Sequence, residues 1–204
     1  MLDSIASLRT RHADVKFQPG RAALLVLDLQ DYFLRPDSHA YIPAAPAILP
    51  NIQNLVTSFS GHGRPVIFTQ HLNTQADAGM MSRWWRDVIR ADSPLSAIAP
   101  GLDSPGGIRI RKTQYDAFYG TSLEELLRGR GVEQVVVSGV MTHLCCESTA
   151  RSAFMCGFEV LFCVDGTATY TEALHRSALL TLAHGFALPV LCEEIAFRFS
   201  TESG

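Results

Sequence analysis

The 204-residue chain lacks most of the features that would announce a macromolecular partner. It has no long basic run and no basic stripe, and its 17 Lys and Arg stand against 20 Asp and Glu, a formal net charge of -3. That balance excludes the electrostatic footprint of a nucleic-acid binder. No apolar run approaches the roughly 20 residues a helix needs to cross a bilayer, which excludes a membrane protein of that kind. The opening MLDSIASLRTRHADVKF has no apolar stretch followed by a small-residue cleavage site, so it does not read as a signal peptide. The five cysteines, Cys145, Cys146, Cys156, Cys163 and Cys192, are odd in number, and no Cys-x-x-Cys pair matches a His pair. That pattern argues against a disulfide framework and a structural zinc site, and for a reducing, cytoplasmic setting with mostly inert packing thiols. Three catalytic signatures are also missing. After the first apolar run the chain reads Asp28-Leu-Gln-Asp-Tyr-Phe33 where a dinucleotide-binding fold would place Gly-x-Gly-x-x-Gly. There is no P-loop and no Gly-x-Ser-x-Gly elbow.

What is present is an alternation. Hydrophobic residues make up 47% of the chain, enough for one sizeable core, so a single domain over residues 1–204 is expected, with 1–20 as an N-terminal extension. Six short, nearly continuous apolar runs read as strands covered on both faces: Ala22–Leu29, Pro65–His71, Gly107–Lys112, Gln134–Gly139, Phe158–Val164 and Ala187–Leu191. Helical periodicity fills most of the gaps. Ile48, Ile52, Leu55, Val56 and Phe59 share one face, and Leu123, Leu126 and Leu127 another. His143–Cys156 and Thr171–His184 read as helices that stop at Gly157 and Gly185. Alternating strands and helices imply an α/β fold, a three-layer α/β/α arrangement around a mostly parallel six-stranded sheet. The long segment Asn73–Gly106, with Trp84 and Trp85, reads as a lid or pocket wall.

Parallel sheets bind ligands beyond the carboxyl ends of their strands. Polar and reactive residues gather there in this chain: Asp28 to Phe33, His71 to Asn73, Lys112 to Phe118, Gly139 to Cys145, and Asp165 to Thr169. With Thr142 as helix N-cap, Cys145 falls in the first turn, where free N–H groups favour a thiolate. Cys146, rotated by about 100°, shares a face with Ala150, Ala153, Phe154 and Gly157, and belongs to the core. Alone, each residue has a plainer explanation: a packing cysteine, an aspartate that caps a turn, a solvated lysine. Together, a thiol, a carboxylate and an ammonium at one sheet edge make a nucleophile with a base and a counter-charge.

The segments Leu27-Asp28-Leu-Gln-Asp-Tyr-Phe33, Lys112-Thr-Gln-Tyr115-Asp-Ala-Phe118-Tyr-Gly-Thr121 and Gly139-Val-Met-Thr142-His-Leu-Cys145-Cys-Glu-Ser-Thr-Ala-Arg151 resemble the isochorismatase-like cysteine hydrolase superfamily. The resemblance runs in chain order over roughly residues 20 to 195, and the combination is specific where each piece alone is weak. It implies a six-stranded parallel sheet, a catalytic triad of Asp28, Lys112 and Cys145, a cis peptide between Val140 and Met141, and a homodimer or homotetramer. It also implies an oxyanion hole from the backbone at Val140, Met141 and Cys145. A small-molecule substrate is expected, with no cofactor. Candidate pocket residues are Gln30, Phe33, His71, Trp84, Trp85, Tyr115, Phe118, Thr142 and His143; for some of these aromatics core packing is the competing role.

Departures from the family pattern narrow the reading. Nicotinamidases of the superfamily resemble one another in an Asp-x-His pair after the second strand that holds a metal. Here that place is Thr69-Gln-His71-Leu-Asn73, and one His is too few for zinc, so no metal is expected and nicotinamidase is disfavoured. Asp116 stands where many relatives have Ser. The expected activity is thiolate attack on an amide, carbamoyl or ureido carbon. The alternatives are an isochorismatase-type vinyl-ether hydrolase that needs no nucleophile, to which His143 also points, and a non-catalytic binding protein on the same fold.

Overall fold

All six apolar runs become strands of one parallel sheet in the computed structural model, which describes residues 2–12, 14–102 and 106–201. They are β1 (Ala22–Leu27), β2 (Val66–His71), β3 (Ile108–Lys112), β4 (Gln134–Val140), β5 (Glu159–Ala168) and β6 (Leu188–Val190), in the order β3-β2-β1-β4-β5-β6. The order reverses between β1 and β4, the place where an open parallel sheet leaves a crevice at its carboxyl edge. The helices are α1 (Leu2–Arg11), α2 (Asp31–Leu34), α3 (Ala45–Gly61), α4 (Met81–Trp84), α5 (Leu123–Gly129), α6 (Glu147–Met155), α7 (Glu172–Gly185) and α8 (Cys192–Thr201). Part of the proposed N-terminal extension (Met1, Ala13) and part of the long wall segment (Asp103–Pro105) lie outside the described residues.

The strands are apolar throughout because each face meets helices. Along β1, Ala22, Leu24 and Val26 enter one core with Ile48, Ile52, Leu55 and Phe59 of α3 and Phe199 of α8. Ala23, Leu25 and Leu27 enter the other with Leu123 and Leu127 of α5, Ala150 and Ala153 of α6, and Leu179 and Leu182 of α7. These side chains bury nearly all of their surface, at about 25 cal/mol per Å² of apolar area. The helical face foreseen from Ile48 to Phe59 is therefore the buried one.

Strand ends differ from the sequence expectation in two informative places. The first apolar run continues to Leu29, but β1 stops at Leu27 because Asp28 adopts φ 52°. That left-handed conformation turns the chain out of the sheet, and aspartate tolerates it better than a branched residue would. The fifth strand was expected to end at Val164; it runs on to Ala168, with a register shift against β4 between Val137 and Gly139. Asp165 consequently lies within a strand, where its Oδ1 accepts the Cys192 N–H at 2.8 Å and its Oδ2 accepts from Asn51 Nδ2 at 3.1 Å. Opposite, Gly139 has φ 111°, and a Cβ there would meet the Leu27 carbonyl oxygen at 2.1 Å. Only glycine lets β4 pass that close to β1 just before the chain enters the crevice.

Candidate active site

Four neighbouring strands deliver one polar side chain each to the crevice. In sheet order they are Lys112 from the end of β3, His71 from the end of β2, Asp28 after β1, and Cys145 beyond β4. The Asp28 N–H donates to Thr69 Oγ1 at 3.1 Å, and that hydroxyl donates to Asp28 Oδ1 at 2.6 Å. Lys112 Nζ lies 2.7 Å from Asp28 Oδ2, with both side chains fully shielded from solvent. It also donates to the Gln114 carbonyl at 2.8 Å and lies 3.2 Å from His71 Nδ1 and 3.5 Å from Cys145 Sγ. The ammonium thus has an imidazole, a carbonyl and the thiol sulfur as hydrogen-bond partners, while its contact with Asp28 Oδ2 is an ion pair in which that oxygen accepts no hydrogen bond among the described residues.

The ammonium fixes the His71 tautomer. Nδ1 can only accept from Lys112, so the ring proton sits on Nε2 and goes to Asn73 Oδ1 at 2.9 Å. Asn73 Nδ2 in turn donates to the Thr113 carbonyl at 3.0 Å, which holds the amide oxygen toward the ring. Burial, with Lys112 adding to it, pulls the His71 pKa down to about 4, so the ring is neutral near pH 7. For Lys112, burial works against the charge, but Asp28 and then Cys145 outweigh it and raise the pKa.

Cys145 is not in the first turn of a helix capped by Thr142. Thr142–Cys146 forms a π-helical turn in which Leu144 N and Cys146 N both donate to the Met141 carbonyl, at 3.1 and 3.2 Å, and α6 begins at Glu147. The Thr142 hydroxyl is drawn instead to His175 Nδ1 at 2.9 Å. The Val140–Met141 peptide is cis, as the family resemblance implied. Nor is the thiol pKa lowered. Burial pushes it up to about 12, with Asp28 acting in the same direction against Lys112, so the sulfur carries its proton at rest. Cys146 is also raised, principally by burial, in the core beside Ala150 and Ala153 as expected. Phe154 does not share that core and is half exposed.

Cys145 opens onto a cavity of about 220 Å³, below the roughly 300–1,000 Å³ of sites for drug-sized ligands. Of the foreseen pocket residues, Phe33, His71, Trp85 and Tyr115 line it together with Met141. Trp85 Nε1 donates to Tyr115 Oη at 2.7 Å, joining the wall segment to the loop after β3. The other foreseen residues are elsewhere. Gln30 is consumed in structure: its amide donates to the Ser96 carbonyl at 2.9 Å and its Oε1 accepts the His71 N–H at 2.8 Å. Trp84 points outward, 73% exposed. Phe118 packs on Phe158 beneath the sheet, ring centroids 5.9 Å apart. Thr142 and His143 brace the π turn, His143 Nδ1 lying 2.8 Å from Thr169 Oγ1. Asp116 also leaves the pocket, accepting from the Phe118 N–H at 2.8 Å and from Ser152 Oγ at 2.7 Å. Sequence reasoning missed Tyr32 on the short helix α2, and His39, Asp87 and Tyr170 on loops, all of which line the cavity at positions with no periodic signal.

Asp28, His71 and Cys145 each offer a donor atom, all within 4.8 Å of one another. They do not fit a metal ion. The Lys112 ammonium already stands within 3.5 Å of a donor atom on each residue, and the remaining His71 nitrogen is held by Asn73. A second cation among them would meet that charge at short range.

Two outcomes follow from this geometry. Lys112→Met leaves a buried carboxylate unpaired and is expected to cost about 3–5 kcal/mol in denaturant unfolding, most of it recovered in the Asp28→Asn/Lys112→Met double variant. Additive losses would mean that the pair does not interact. Iodoacetamide is expected to modify Cys145 ahead of Cys146, because only Cys145 borders the cavity. With a thiol pKa near 12, the rate should keep rising with pH beyond about pH 10. Equal labelling of the two cysteines in peptide mass spectrometry contradicts the assignment.

Comparison with known proteins agrees with this architecture. The family model described as "Isochorismatase domain" matches residues 22–194. Nicotinamidase 3 of Arabidopsis thaliana is 40% identical over 179 residues, covering 85% of this chain and 86% of that protein. The crystal structure of a cysteine hydrolase from Pseudomonas syringae pv. phaseolicola 1448A superposes with a TM-score of 0.87 at 24% identity, covering 91% and 95% of the two chains. A pyrazinamidase of Pyrococcus horikoshii, solved in complex with zinc, gives a TM-score of 0.75 at 25% identity, covering 84% of this chain and 99% of that one. With a family model spanning residues 22–194 and a relative 40% identical over most of both chains, the chain belongs to the isochorismatase family of hydrolases.

Proposed function

We propose that the protein hydrolyses the C–N bond of a small amide, carbamoyl or ureido compound, with Cys145 as nucleophile. The observation that carries this reading is the sulfur's position. It borders the cavity, lies 3.5 Å from Lys112 Nζ, and comes within 4.8 Å of the Asp28 carboxylate. A thiol with a pKa near 12 is a poor nucleophile at rest. Its proton moves to Asp28 as the sulfur attacks the planar carbonyl carbon, and Lys112 keeps the resulting anion paired. The oxyanion is received by the Met141 and Cys145 backbone N–H groups. As the tetrahedral adduct collapses, the C–N bond breaks and Asp28 returns the proton to the departing nitrogen. Water, deprotonated by Asp28, then attacks the thioester, and the acid leaves as the thiol is restored. His71 and Asn73 do not exchange protons with the substrate; they hold the lysine.

Nicotinamidase 3, the Arabidopsis relative, supports amide C–N hydrolysis over vinyl-ether hydrolysis. No helix among the described residues is long and apolar enough to cross a membrane; with five free cysteines, a cytoplasmic location fits. We place the enzyme there as a homodimer or homotetramer, a state that exposed Phe154, Met155 and Phe197 would help to bury.

The test is a panel of small amides, ureido acids and isochorismate assayed with wild type and Cys145→Ala. Amide turnover is expected to fall about 10⁴-fold or more in the variant. Isochorismate turnover that survives the loss of the sulfur would assign the site to ether hydrolysis instead, and no turnover of any compound by wild type would favour a binding role.

A further inference from the structure

The turn that carries Cys145 is held from outside by a histidine the triad does not use. Thr142 is fully buried, and its Oγ1 lies 2.9 Å from Nδ1 of His175, which reaches in from α7. A hydroxyl can donate to Nδ1 or accept from it, so this bond forms with either neutral tautomer of the ring. Burial pulls the His175 pKa below its ordinary value, which keeps the ring neutral near pH 7. The histidine is firmly placed. Its backbone N–H donates to the Thr171 carbonyl at 3.1 Å, Thr171 Oγ1 accepts from Leu174 N at 3.2 Å, and Leu179 and Leu182 seat the same helix in the core.

The bond also settles what the Thr142 hydroxyl does not do. A threonine at the start of a helix ordinarily turns its hydroxyl back on the chain and accepts the N–H two or three residues on. From Thr142 those belong to Leu144 and Cys145. The Leu144 N–H is already spent on the Met141 carbonyl, which takes the Cys146 N–H as well but not that of Cys145. A Thr142 hydroxyl without its histidine would be a buried group in need of a partner, and the Cys145 N–H is the cap donor that remains. That N–H is one of the two assigned to the oxyanion in the mechanism above.

We propose that His175 is a positioning residue: by engaging the Thr142 hydroxyl it keeps that hydroxyl from capping the Cys145 N–H, and so leaves the N–H open to a substrate oxyanion. This rests on the Cys145 mechanism and adds a residue to it. His175 is not on the cavity lining and acts through Thr142. The shape of the turn agrees, because the side-chain cap expected from the sequence is absent and the hydroxyl that would make it is on His175.

Three variants test it: His175→Phe, which keeps a ring without polar atoms; His175→Asn, which restores a polar side chain; and His175→Phe/Thr142→Val, which also removes the freed hydroxyl. His175→Ala replaces His175→Phe where the larger ring does not fold. In His175→Phe, kcat on an amide that wild type turns over is expected to fall about 5–30-fold with little change in KM, the population ratio given by a threonine cap worth about 1–2 kcal/mol. His175→Asn and the double variant should each recover most of that loss. Iodoacetamide labelling of Cys145 forms no oxyanion and should change little in any of them. No fall in the single variant, a double variant as slow as the single one, or a parallel fall in labelling overturns the proposal. The crystal structure of His175→Phe gives a readout that needs no turnover: Thr142 Oγ1 should come within about 3 Å of Cys145 N. A hydroxyl directed elsewhere overturns the proposal, whereas a capped Cys145 N–H in a protein whose wild type turns over no amide leaves it standing and counts against the amidase reading.

Discussion

A carboxylate and an ammonium with no access to water lie 2.7 Å apart where the strands of this sheet end, and the rest of the site depends on that pair. Removing either partner strands the other in a medium of low polarity, which is far costlier than having neither. The surrounding structure is arranged to keep both charges satisfied. Thr69 holds one carboxylate oxygen, the Gln114 carbonyl and His71 take two ammonium hydrogens, and Asn73 fixes the histidine. The left-handed turn at Asp28 belongs to the same arrangement, because it swings the carboxylate off β1 toward Lys112, two strands away.

The same pair shapes the chemistry. A buried thiol beside a carboxylate keeps its proton, and a lysine beside both keeps its charge. In the mechanism proposed above, the site stores the proton on sulfur until a carbonyl carbon is in place, rather than holding a reactive thiolate open to the cavity. The ammonium that supports this state also occupies the place a metal would need, so charge balance and metal exclusion have one cause.

Much of the fold was legible because it rests on local pattern. Six apolar runs separated by helical periodicity become six parallel strands and their covering helices, and the face from Ile48 to Phe59 is the buried face of α3. The meeting of Asp28, Lys112 and Cys145 was legible too, since residues that follow strands in a parallel sheet share one edge. Pocket residues were read less well. Trp84 and Trp85 are adjacent and chemically alike, yet one points to water and the other lines the cavity. Gln30, Thr142 and His143 look like ligand contacts from their positions, but neighbours distant in sequence consume their polar atoms: Ser96 and the His71 backbone, His175, and Thr169.

The sequence by itself determined the strand order's raw material, the reactive residue types at the strand ends and the small-residue face that buries Cys146, because periodicity and spacing are properties of the chain alone. Tertiary structure decided what those residues do. It turned a helix start into a π-helical turn, raised a thiol pKa that the helix end was expected to lower, and set Asn73 on His71 so that the ring holds a lysine. It also brought Tyr32 of α2 together with His39 and Asp87 from two loops. Each of these outcomes depends on burial or on partners far away in the chain, and desolvation is a property of the packed molecule that no local pattern records.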